Sequence, residues 1–515
     1  ARHQVGMLGT VAAVLALAAC ANAGSNPVGY TVASPSSVNL VARGAYKGSL
    51  STLQVDGAYT SEAPPFLLQL EGTRYEMGYD YGLLFGIQGK AVFESLLKSI
   101  LGDSTLAPLE QGALELFLDW QWNDYMASEL PEQYHEELRG ATAGGAAAGV
   151  PGVEVGTLLT RGLVLANLPG SLEDLVYVLE DEAAHPNATS TPSYQALLGA
   201  VRSLGEASVA QFARRLVTKG WQPLSCSMIG FWGNRTADGR VYTGRNLDWL
   251  ANTGINAYKV VTVFRPNDAT AHATLGFGGL IGALAGMSAE GITVHEANLE
   301  EKPESFRGFP WMLRLRYIME NADDLTSALK LWNSTKNTVG FNHGIGSAKD
   351  AKFVVLETNA ARSAVFTDMD PREAAATYTD HYNVTQQIGF PLPNAVWRTN
   401  NPFDPGMRAN FLWSQGPHTN SQERYQIIHD SIVDIERTGA RATADDIINV
   451  TAVVGQKGDN YYTCGPLPHE GSNVLSVAFD PKSQVIYSAW EANSGDNWVP
   501  AACSTFVKLD MSQWF

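Results

Sequence analysis

The sequence predicts an α+β protein in which helices flank layered β-sheets, and three observations indicate this class. Residues 66–220 carry apolar side chains mostly at helical spacing. From Cys226 onward, short strand-like segments alternate with turns. Helices then follow, and strands return near the C-terminus, an order that is typical of an α+β domain with layered sheets.

The first part of the chain is predicted to be mainly helical. Residues 24–65 are rich in Ser, Gly and Val and suggest a loose lead-in with one or two strands. The stretch from Ala141 to Gly149 is rich in Ala and Gly, which permits close packing of helices. Helices are predicted at residues 76–101, 106–126, 133–149, 158–179 and 194–219.

The second part alternates strands and helices. Turns at residues 237–239 and 289–291 separate some of the strands. We predict helices at residues 309–320, 323–331, 421–437 and 444–450. Strands are predicted at residues 226–233, 240–246, 257–265, 271–275, 291–297, 351–357, 364–367, 474–480, 485–491 and 504–509.

Residues 1–23 have the features of a signal peptide. Arg2 and His3 precede an uncharged apolar run from Val5 to Ala19, and Ala21-Asn22-Ala23 fits the small-x-small cleavage pattern. This predicts export to the secretory pathway or lysosome. An alternative is a bacterial lipoprotein box at Leu17–Cys20, with lipidation of Cys20 and a periplasmic location.

Composition narrows the classes of partner. The chain has 515 residues, a formal net charge of −17 and a pI of about 5.0. An acidic protein is a poor match for nucleic acid or an anionic membrane, since both require positive surface. Beyond the signal, no stretch is long and apolar enough to predict a transmembrane segment.

Three cysteines remain after Cys20. In an oxidising compartment the simplest pairing joins Cys464 with Cys503 and leaves Cys226 as a free thiol. A free thiol in an exported protein is a candidate reactive residue, and a buried inert cysteine is the alternative. Asn-x-Ser/Thr sequences predict N-glycosylation at Asn187, Asn234, Asn333, Asn383 and Asn449.

Common catalytic signatures do not occur in the sequence. There is no G-x-S-x-G elbow, C-x-x-C pair or phosphate-binding loop, and His295-Glu296 lacks the second histidine of a zinc-protease helix. The ten histidines are scattered. We therefore expect neither a metal nor a cofactor.

The segment around Cys226 is the most informative one. Residues 225–249 predict a strand, a turn and a second strand, so an antiparallel hairpin returns Arg245 and Asp248 toward Cys226. A neighbouring arginine lowers the pKa of a thiol, and a carboxylate can hold an ammonium group. If Cys226 becomes an N-terminal residue, its own α-amine can act as the base.

This constellation resembles known enzyme families. Cys226 with the sequence Gly244-Arg245-Asn246-Leu247-Asp248-Trp249 resembles choloylglycine hydrolases and acid-ceramidase-like amidases. Further blocks resemble the isopenicillin-N acyltransferase (acyl-coenzyme A:6-aminopenicillanic acid acyltransferase) family of N-terminal-nucleophile hydrolases. They follow in order at residues 71–82, 134–140, 286–298, 399–400 and 421–424.

The resemblance implies a four-layer αββα fold and self-cleavage between Ser225 and Cys226. It divides the chain into a signal (residues 1–23), a mainly helical prosegment or α chain (24–225) and a catalytic β chain (226–515), and the two chains remain associated. The implied roles are Cys226 as nucleophile, Arg245 and Asp248 as its positioning groups, Asn298 in the oxyanion hole, Asn400 orienting the intermediate, and Arg424 bracing the site.

The expected activity is hydrolysis of a linear, non-peptide amide such as an N-acylated lipid, amine or amino acid. Three alternatives remain open at this point. The enzyme is an acyltransferase that uses a thioester donor, or it cleaves esters as a phospholipase B-like enzyme does. The third alternative is a secreted binding protein that has lost catalysis, which the retained constellation of polar residues disfavours.

Overall fold

A computed structural model describes the chain from residue 26 to residue 515. The residues it leaves undescribed within that range are 27, 60–61, 103–105, 169–174, 177, 181–188, 218–224, 303, 380–381, 412–418 and 458–462. The predicted signal peptide and the predicted glycosylation site at Asn187 therefore lie outside the described residues.

Two large sheets form the centre of the protein. In chain order the strands are β1 (Thr31–Ala33), β2 (Ser37–Arg43), β3 (Ser49–Gln54), β4 (Phe66–Gly72), β5 (Ser225–Gly233), β6 (Gly239–Asp248), β7 (Lys259–Pro266), β8 (His272–Phe277), β9 (Ala285–Ser288), β10 (Ile292–Asn298), β11 (Phe341–Ser347), β12 (Lys352–Asn359), β13 (Arg362–Phe366), β14 (Thr377–Thr379), β15 (Thr385–Gln387), β16 (Ala395–Arg398), β17 (Asn473–Asp480), β18 (Val485–Trp490) and β19 (Thr505–Asp510). The first sheet has the order β1-β19-β18-β17-β6-β5-β16, and the second has the order β13-β12-β11-β10-β9-β8-β7-β4-β3-β2. Strands β14 and β15 form a separate hairpin.

Helices cover both sheets. They are α1 (Arg74–Leu101), α2 (Ala107–Gln121), α3 (Glu132–Ala147), α4 (Val155–Ala166), α5 (Pro192–Ser203), α6 (Val209–Val217), α7 (Trp311–Asn321), α8 (Leu325–Asn333), α9 (Pro371–Ala374), α10 (Pro405–Arg408), α11 (Thr419–Arg437) and α12 (Ala444–Val453). Helices α11 and α12 pack on the first sheet, and α7 and α8 pack on the second.

The two sheets pack face to face, with β10 and β12 of the second sheet against β5 of the first. Nearly every residue of β5, β6, β10 and β17 is buried, because each of these strands has a sheet on one side and a helix layer on the other. The layers are therefore helix, sheet, sheet and helix. The predicted α+β class and the αββα architecture are confirmed.

The N-terminal region contains more β structure than the sequence predicts. Strands β2, β3 and β4 extend the second sheet, with β4 parallel to β7, and β1 lies parallel to β19 at the edge of the first sheet. Residues on both sides of the predicted boundary at 225 and 226 thus contribute strands to the same two sheets. Short strands with exposed faces, such as β2, lack the alternating apolar pattern that marks a strand in a sequence.

The Ala- and Gly-rich segment packs closely, as its composition predicts. A Cβ atom at Gly78 would lie 1.9 Å from the carbonyl oxygen of Glu137, and one at Gly144 would lie 1.9 Å from that of Tyr79. Only glycine permits the backbones of α1 and α3 to approach this far. In contrast, the single helix predicted over residues 194–219 is two helices, because Gly205 adopts a positive φ of 84° after α5.

A buried ionic network ties these N-terminal helices to the rest of the molecule. Arg316 on α7 pairs with Glu137 on α3 at 2.7 Å and with Glu320 at 2.9 Å. Arg74 on α1 pairs with Glu320 at 2.8 Å. Removing one member of such a network leaves an uncompensated buried charge, so the four residues fix the helix layers relative to each other.

The structure describes the predicted disulfide and four of the predicted glycosylation sites. A disulfide joins Cys464 and Cys503, whose Cα atoms are 5.6 Å apart. Asn234, Asn333 and Asn383 are exposed, whereas Asn449 is half-buried on α12 and accepts a hydrogen bond from Tyr30. Among the described residues, no helix combines the length and apolar character that crossing a bilayer requires.

A buried carboxyl group makes the stability of the protein depend on pH. Burial raises the pKa of Glu491 from 4.5 to about 7, although Trp498 and the backbone N–H of Asn252 donate hydrogen bonds to its Oε2. The folded protein therefore holds a proton that the unfolded chain loses above its lower pKa. We expect ~3 kcal/mol of stability to be lost as pH rises from about 4.5 to about 7.

Denaturant unfolding at pH 4.5, 5.5 and 7.5 measures this dependence. Glu491→Gln should flatten the profile by removing the titrating group, whereas Glu290→Gln, at an exposed position, should leave the profile as in the wild type. A wild-type stability that rises between pH 4.5 and 7 would contradict the assignment to Glu491.

Candidate active site

The hairpin of β5 and β6 builds the centre of the site. Cys226 pairs with Leu247, and Met228 pairs with Arg245, in antiparallel register. Directly paired residues and residues two apart lie on one face of a sheet. Cys226 and Arg245 therefore share the face that is turned toward the second sheet.

On that face the thiol meets a buried ion pair. The Nη2 atom of Arg245 lies 3.2 Å from the Sγ atom of Cys226 and 2.5 Å from Oε1 of Glu296 on β10. The Glu296 oxygens lie 3.8 and 3.9 Å from the same sulfur. Nη1 of Arg245 donates to the carbonyl of Leu284 at 2.7 Å, which fixes the guanidinium. Cys226, Arg245 and Glu296 are all fully buried.

The environment of the intact chain keeps this thiol protonated. Burial raises the pKa of Cys226, and the negative charge of Glu296 raises it further. Arg245 lowers the pKa as the sequence predicts, but its effect is smaller than that of burial. Arg245 therefore does not offset burial in the intact chain, and a base is required to remove the thiol proton.

Glu296 is the carboxylate nearest to the thiol. Burial raises the pKa of Glu296, and Arg245 opposes this shift by a charge interaction and a hydrogen bond. A carboxylate with a raised pKa is a better proton acceptor than an ordinary one. Glu296 has no assigned role in the sequence-based predictions, although its position two residues before Asn298 on one strand places both side chains on one face.

Three of the predicted residues lie around the peptide bond between Ser225 and Cys226, and one of them, Asn400, contacts it directly. Oδ1 of Asn400 accepts the backbone N–H of Cys226 at 3.1 Å. Nη1 of Arg424 donates to the Cys226 carbonyl at 2.5 Å, and its Nη2 donates to Ser225 Oγ at 2.9 Å. Nδ2 of Asn400 donates to Oδ1 of Asn298 at 2.7 Å. The asparagines and the arginine thus form one hydrogen-bonded group around this bond.

Asp248 lies close to this group but on the opposite face of β6 from Arg245, because the two residues are three positions apart. Its Oδ1 accepts from Nδ2 of Asn473 at 2.8 Å and from the N–H of Gln456 at 3.2 Å. Its Oδ2 is buried without a hydrogen-bond partner in the described structure. Burial raises the pKa of Asp248, and Arg424 opposes this shift. Asp248 therefore does not contact the thiol in the intact chain.

An apolar crevice lies beside the hairpin that carries the thiol, although Cys226 itself is not among the residues that line it. Leu247, which pairs with Cys226, and Leu284, whose carbonyl holds Arg245, both line it. Trp249 and Trp311 line it as well. Helices α1 and α4 contribute Val92, Phe93, Leu96, Gly162, Leu165 and Ala166, and Leu168 follows α4. The crevice has few polar groups and suits a hydrocarbon chain.

No cluster of three or more His, Cys, Asp or Glu side chains able to hold a metal occurs among the residues described by the structure.

Phe403 is buried in the core, where its ring centroid lies 4.9 Å from that of Tyr425.

Residues 235–494 match the model of the family described as acyl-coenzyme A:6-aminopenicillanic acid acyl-transferase. The match covers about half of the chain and includes Arg245, Asp248, Asn298, Asn400 and Arg424. It begins after Cys226.

Two curated relatives share parts of the sequence. An uncharacterized protein of Archaeoglobus fulgidus is 22% identical over 358 residues, which cover 65% of this chain and 53% of the relative. Protein dcd1B of Dictyostelium discoideum is 27% identical over 150 residues, which cover 28% of this chain and 30% of the relative. The chain thus spans about half of the first relative's length and less than a third of the second's.

Solved structures with a similar fold include a mutant of conjugated bile acid hydrolase from Clostridium perfringens, with 13% identity and a TM-score of 0.33 over 56% of this chain and 93% of that one. A Caenorhabditis elegans ortholog of N-acylethanolamine-hydrolyzing acid amidase has 14% identity and a TM-score of 0.32, with coverages of 50% and 93%. Penicillin V acylase from Agrobacterium tumefaciens has 14% identity and a TM-score of 0.33, with coverages of 56% and 92%.

Proposed function

The chain belongs to the acyl-coenzyme A:6-aminopenicillanic acid acyl-transferase family, and on that premise we propose that it is a self-activating cysteine enzyme that hydrolyses linear amides. The observation that carries the proposal is the contact of the Cys226 thiol with Arg245 and Glu296 beside an apolar crevice. A nucleophile, a proton acceptor and an acyl-binding surface thereby lie together.

Self-cleavage comes first in this mechanism. Glu296 takes the thiol proton while Sγ of Cys226 attacks the carbonyl carbon of Ser225. The C–N bond then breaks, and the proton passes to the nitrogen of Cys226, which becomes a free amine. Water hydrolyses the resulting thioester, which releases the carboxylate of Ser225 and restores the thiol. The products are an α chain that ends at Ser225 and a β chain that begins at Cys226.

Turnover uses the new N-terminus. The α-amine of Cys226 accepts the thiol proton, the sulfur attacks the substrate amide, and the ammonium returns a proton to the departing amine. Water then hydrolyses the acyl-thioester. The buried Oδ2 of Asp248, which has no hydrogen-bond partner in the described structure, is available to the ammonium group.

The two asparagines support the charged intermediate. Because Oδ1 of Asn298 accepts the amide of Asn400, the Nδ2 group of Asn298 is left to donate to the oxyanion. Asn400 and Arg424 already orient the backbone of residue 226 from both sides. Arg424 is a positioning residue in this scheme, since it acts through Ser225, Asn400 and the Cys226 carbonyl.

The two chains remain associated after cleavage in our proposal. Parallel pairing of β4 with β7, and the ion pairs of Arg74 and Glu137 with Glu320 and Arg316, support this association. The Cys464–Cys503 disulfide supports an oxidising compartment, which is the secretory space, the lysosome or a bacterial periplasm.

Acyl transfer is the second candidate, and the description of the matched family favours it. The same acyl-enzyme transfers its acyl group to an amine when the amine replaces water, and it can form from a thioester or an ester as well as from an amide. The choice among these substrates and acceptors distinguishes the hydrolase from the acyltransferase and from an esterase.

A panel of N-acyl amides, the corresponding esters and acyl thioesters tests the proposal. Each is incubated with the purified cleaved enzyme, with and without an added amine, and the free acid, free amine and new amide are quantified by mass spectrometry. We expect release of amine and acid from amides with apolar acyl groups. Absence of turnover for every member, in enzyme that has cleaved itself, would refute the catalytic proposal.

A narrower crevice should shorten the acyl chain that the enzyme accepts. Ala166→Phe adds a ring to the α4 wall, so we expect KM to rise about tenfold for long acyl chains and to change little for short ones. Ala200→Phe on α5, half-buried and away from the crevice, is the matched control. An equal effect of Ala166→Phe on short and long chains would argue against the crevice as the acyl site.

A further inference from the structure

We propose that Gln456 is a positioning residue for self-cleavage, which fixes the hydroxyl group of Ser225 and so makes a hydroxylated residue at position 225 a requirement of the reaction. This inference rests on the proposed self-cleavage and adds to it a specificity for the residue that precedes the nucleophile. Gln456 has no role in the chemistry described above, and the Ser225 hydroxyl enters it only as a contact of Arg424.

Gln456 contacts the scissile residue directly. Its Nε2 atom donates to Ser225 Oγ at 2.9 Å and to Oδ1 of Asn420 at 2.9 Å. Asn420 Oδ1 also accepts from Nε of Arg424 at 2.9 Å, so it must be an oxygen, and the Gln456 atom that faces it must be the donor. The orientation of the Gln456 amide is thus set by its neighbours.

The other polar groups of Gln456 are also hydrogen-bonded. Oε1 accepts from Ser472 Oγ at 2.5 Å, and the backbone carbonyl accepts from the N–H groups of Ser472 and Asn473 at 3.2 and 3.3 Å. The backbone N–H donates to Asp248. A side chain with both ends fixed loses little entropy when it forms one further hydrogen bond, which favours a positioning role.

Ser225 Oγ has three hydrogen-bond partners among the described residues. It accepts from Gln456 and from Nη2 of Arg424, and it donates to Oδ1 of Asn400 at 3.4 Å. Asn400 Oδ1 also accepts the N–H of the peptide bond that is to be cut. The hydroxyl of Ser225 and the nitrogen of Cys226 therefore meet at one acceptor, and fixing the hydroxyl restrains rotation of the scissile peptide.

A hydroxyl group fits this place better than an apolar side chain. Without it, Gln456 and Arg424 would each keep a donor directed at a hydrocarbon surface, and buried donors without acceptors are costly. Threonine retains the hydroxyl, whereas valine has the same shape without it. Ser225→Thr and Ser225→Val are therefore a matched pair that separates hydrogen bonding from size.

The test follows self-cleavage of freshly purified precursor by intact mass spectrometry. We expect Gln456→Met, which removes the donor at similar length, to slow cleavage about tenfold. Ser225→Val should slow it at least as much, and Ser225→Thr should cleave within about threefold of the wild-type rate. Gln426→Met on α11 is the control, because the side chain of Gln426 hydrogen-bonds His429 and Asp430 and none of the site residues in the described structure.

A double-mutant cycle excludes a merely structural effect. If Gln456 acts through the Ser225 hydroxyl, then Ser225→Ala with Gln456→Met should cleave about as slowly as Ser225→Ala alone. The proposal would be overturned if the two substitutions reduced the cleavage rate independently, so that their fold-reductions multiplied in the double variant. It would also be overturned if the Gln456→Met precursor cleaved at the wild-type rate. The melting temperature shows whether Gln456→Met folds. If it does not, the comparison of Ser225→Thr with Ser225→Val decides, and equal cleavage rates for these two variants overturn the proposal. A wild-type precursor that never cleaves would instead refute the proposed function itself.

Discussion

Replacing Cys226 with alanine is expected to leave one uncleaved chain and to remove amide turnover. The substitution deletes the only free thiol of the described structure, since Cys464 and Cys503 are joined to each other. Without a nucleophile neither the thioester nor the new N-terminus can form. We expect turnover to fall by about 10⁴-fold or more, to the background rate of hydrolysis.

Intact mass and N-terminal sequencing of wild type and Cys226→Ala measure this directly. The wild-type protein should give two chains, one of which begins Cys-Ser-Met-Ile-Gly. Cys226→Ser is the informative control because it keeps a nucleophilic atom of lower reactivity, and it should cleave more slowly than the wild type but still cleave. Cleavage of the alanine variant at the same bond would point to a contaminating protease and contradict the mechanism.

The sequence predicts the local part of this site well. A turn at residues 237–239 closes a hairpin. Antiparallel pairing within this hairpin is enough to bring Arg245 back to Cys226, independently of the rest of the fold. The same rule separates the two predicted neighbours of Cys226. Residues 245 and 248 lie on opposite faces of β6, so Arg245 reaches the thiol, whereas Asp248 accepts the backbone N–H of Gln456.

The long-range part of the site is not encoded in any local pattern. Asn400 and Arg424 are far from Cys226 in sequence, and they were identified only by family resemblance, which placed them without showing what they contact. Gln456 follows α12 in a segment with no motif, and its contact with Ser225 depends on how that helix packs against β6 and β17. Contacts of this kind follow from tertiary packing and cannot be derived from periodicity or spacing.

The same limit applies to the N-terminal region. Helical periodicity identified α1 and α3, and the Gly-rich composition predicted their close approach, because both signals are local. Strand β4 becomes part of the second sheet by pairing with β7, which is distant in sequence. The region that the sequence predicts to be a prosegment therefore contributes strands to both sheets of the folded protein.

Glu296→Gln is expected to slow self-cleavage by about 10²- to 10⁴-fold, the usual contribution of a positioned general base. Glutamine keeps the shape of the side chain and can still accept a hydrogen bond from Arg245, but it cannot take the thiol proton. The direction of the change in cleavage rate distinguishes two mechanisms. Glu296 raises the pKa of Cys226, so its neutralisation lowers that pKa, and a reaction limited only by the amount of thiolate would accelerate.

The control for loss of a buried charge is Glu320→Gln. Glu320 is also fully buried and paired with arginines, Arg74 and Arg316, but it shares no partner with Cys226. Both variants should lose stability, on the order of 3 kcal/mol, because each removes a buried carboxylate that is paired with arginine; in Glu320→Gln, Arg316 keeps Glu137 and Arg74 keeps Asp268. Only Glu296→Gln should slow cleavage when both are compared below their melting temperatures. Faster cleavage in Glu296→Gln would assign Glu296 a purely inhibitory role in the precursor, and equal slowing in both variants would attribute the effect to stability alone.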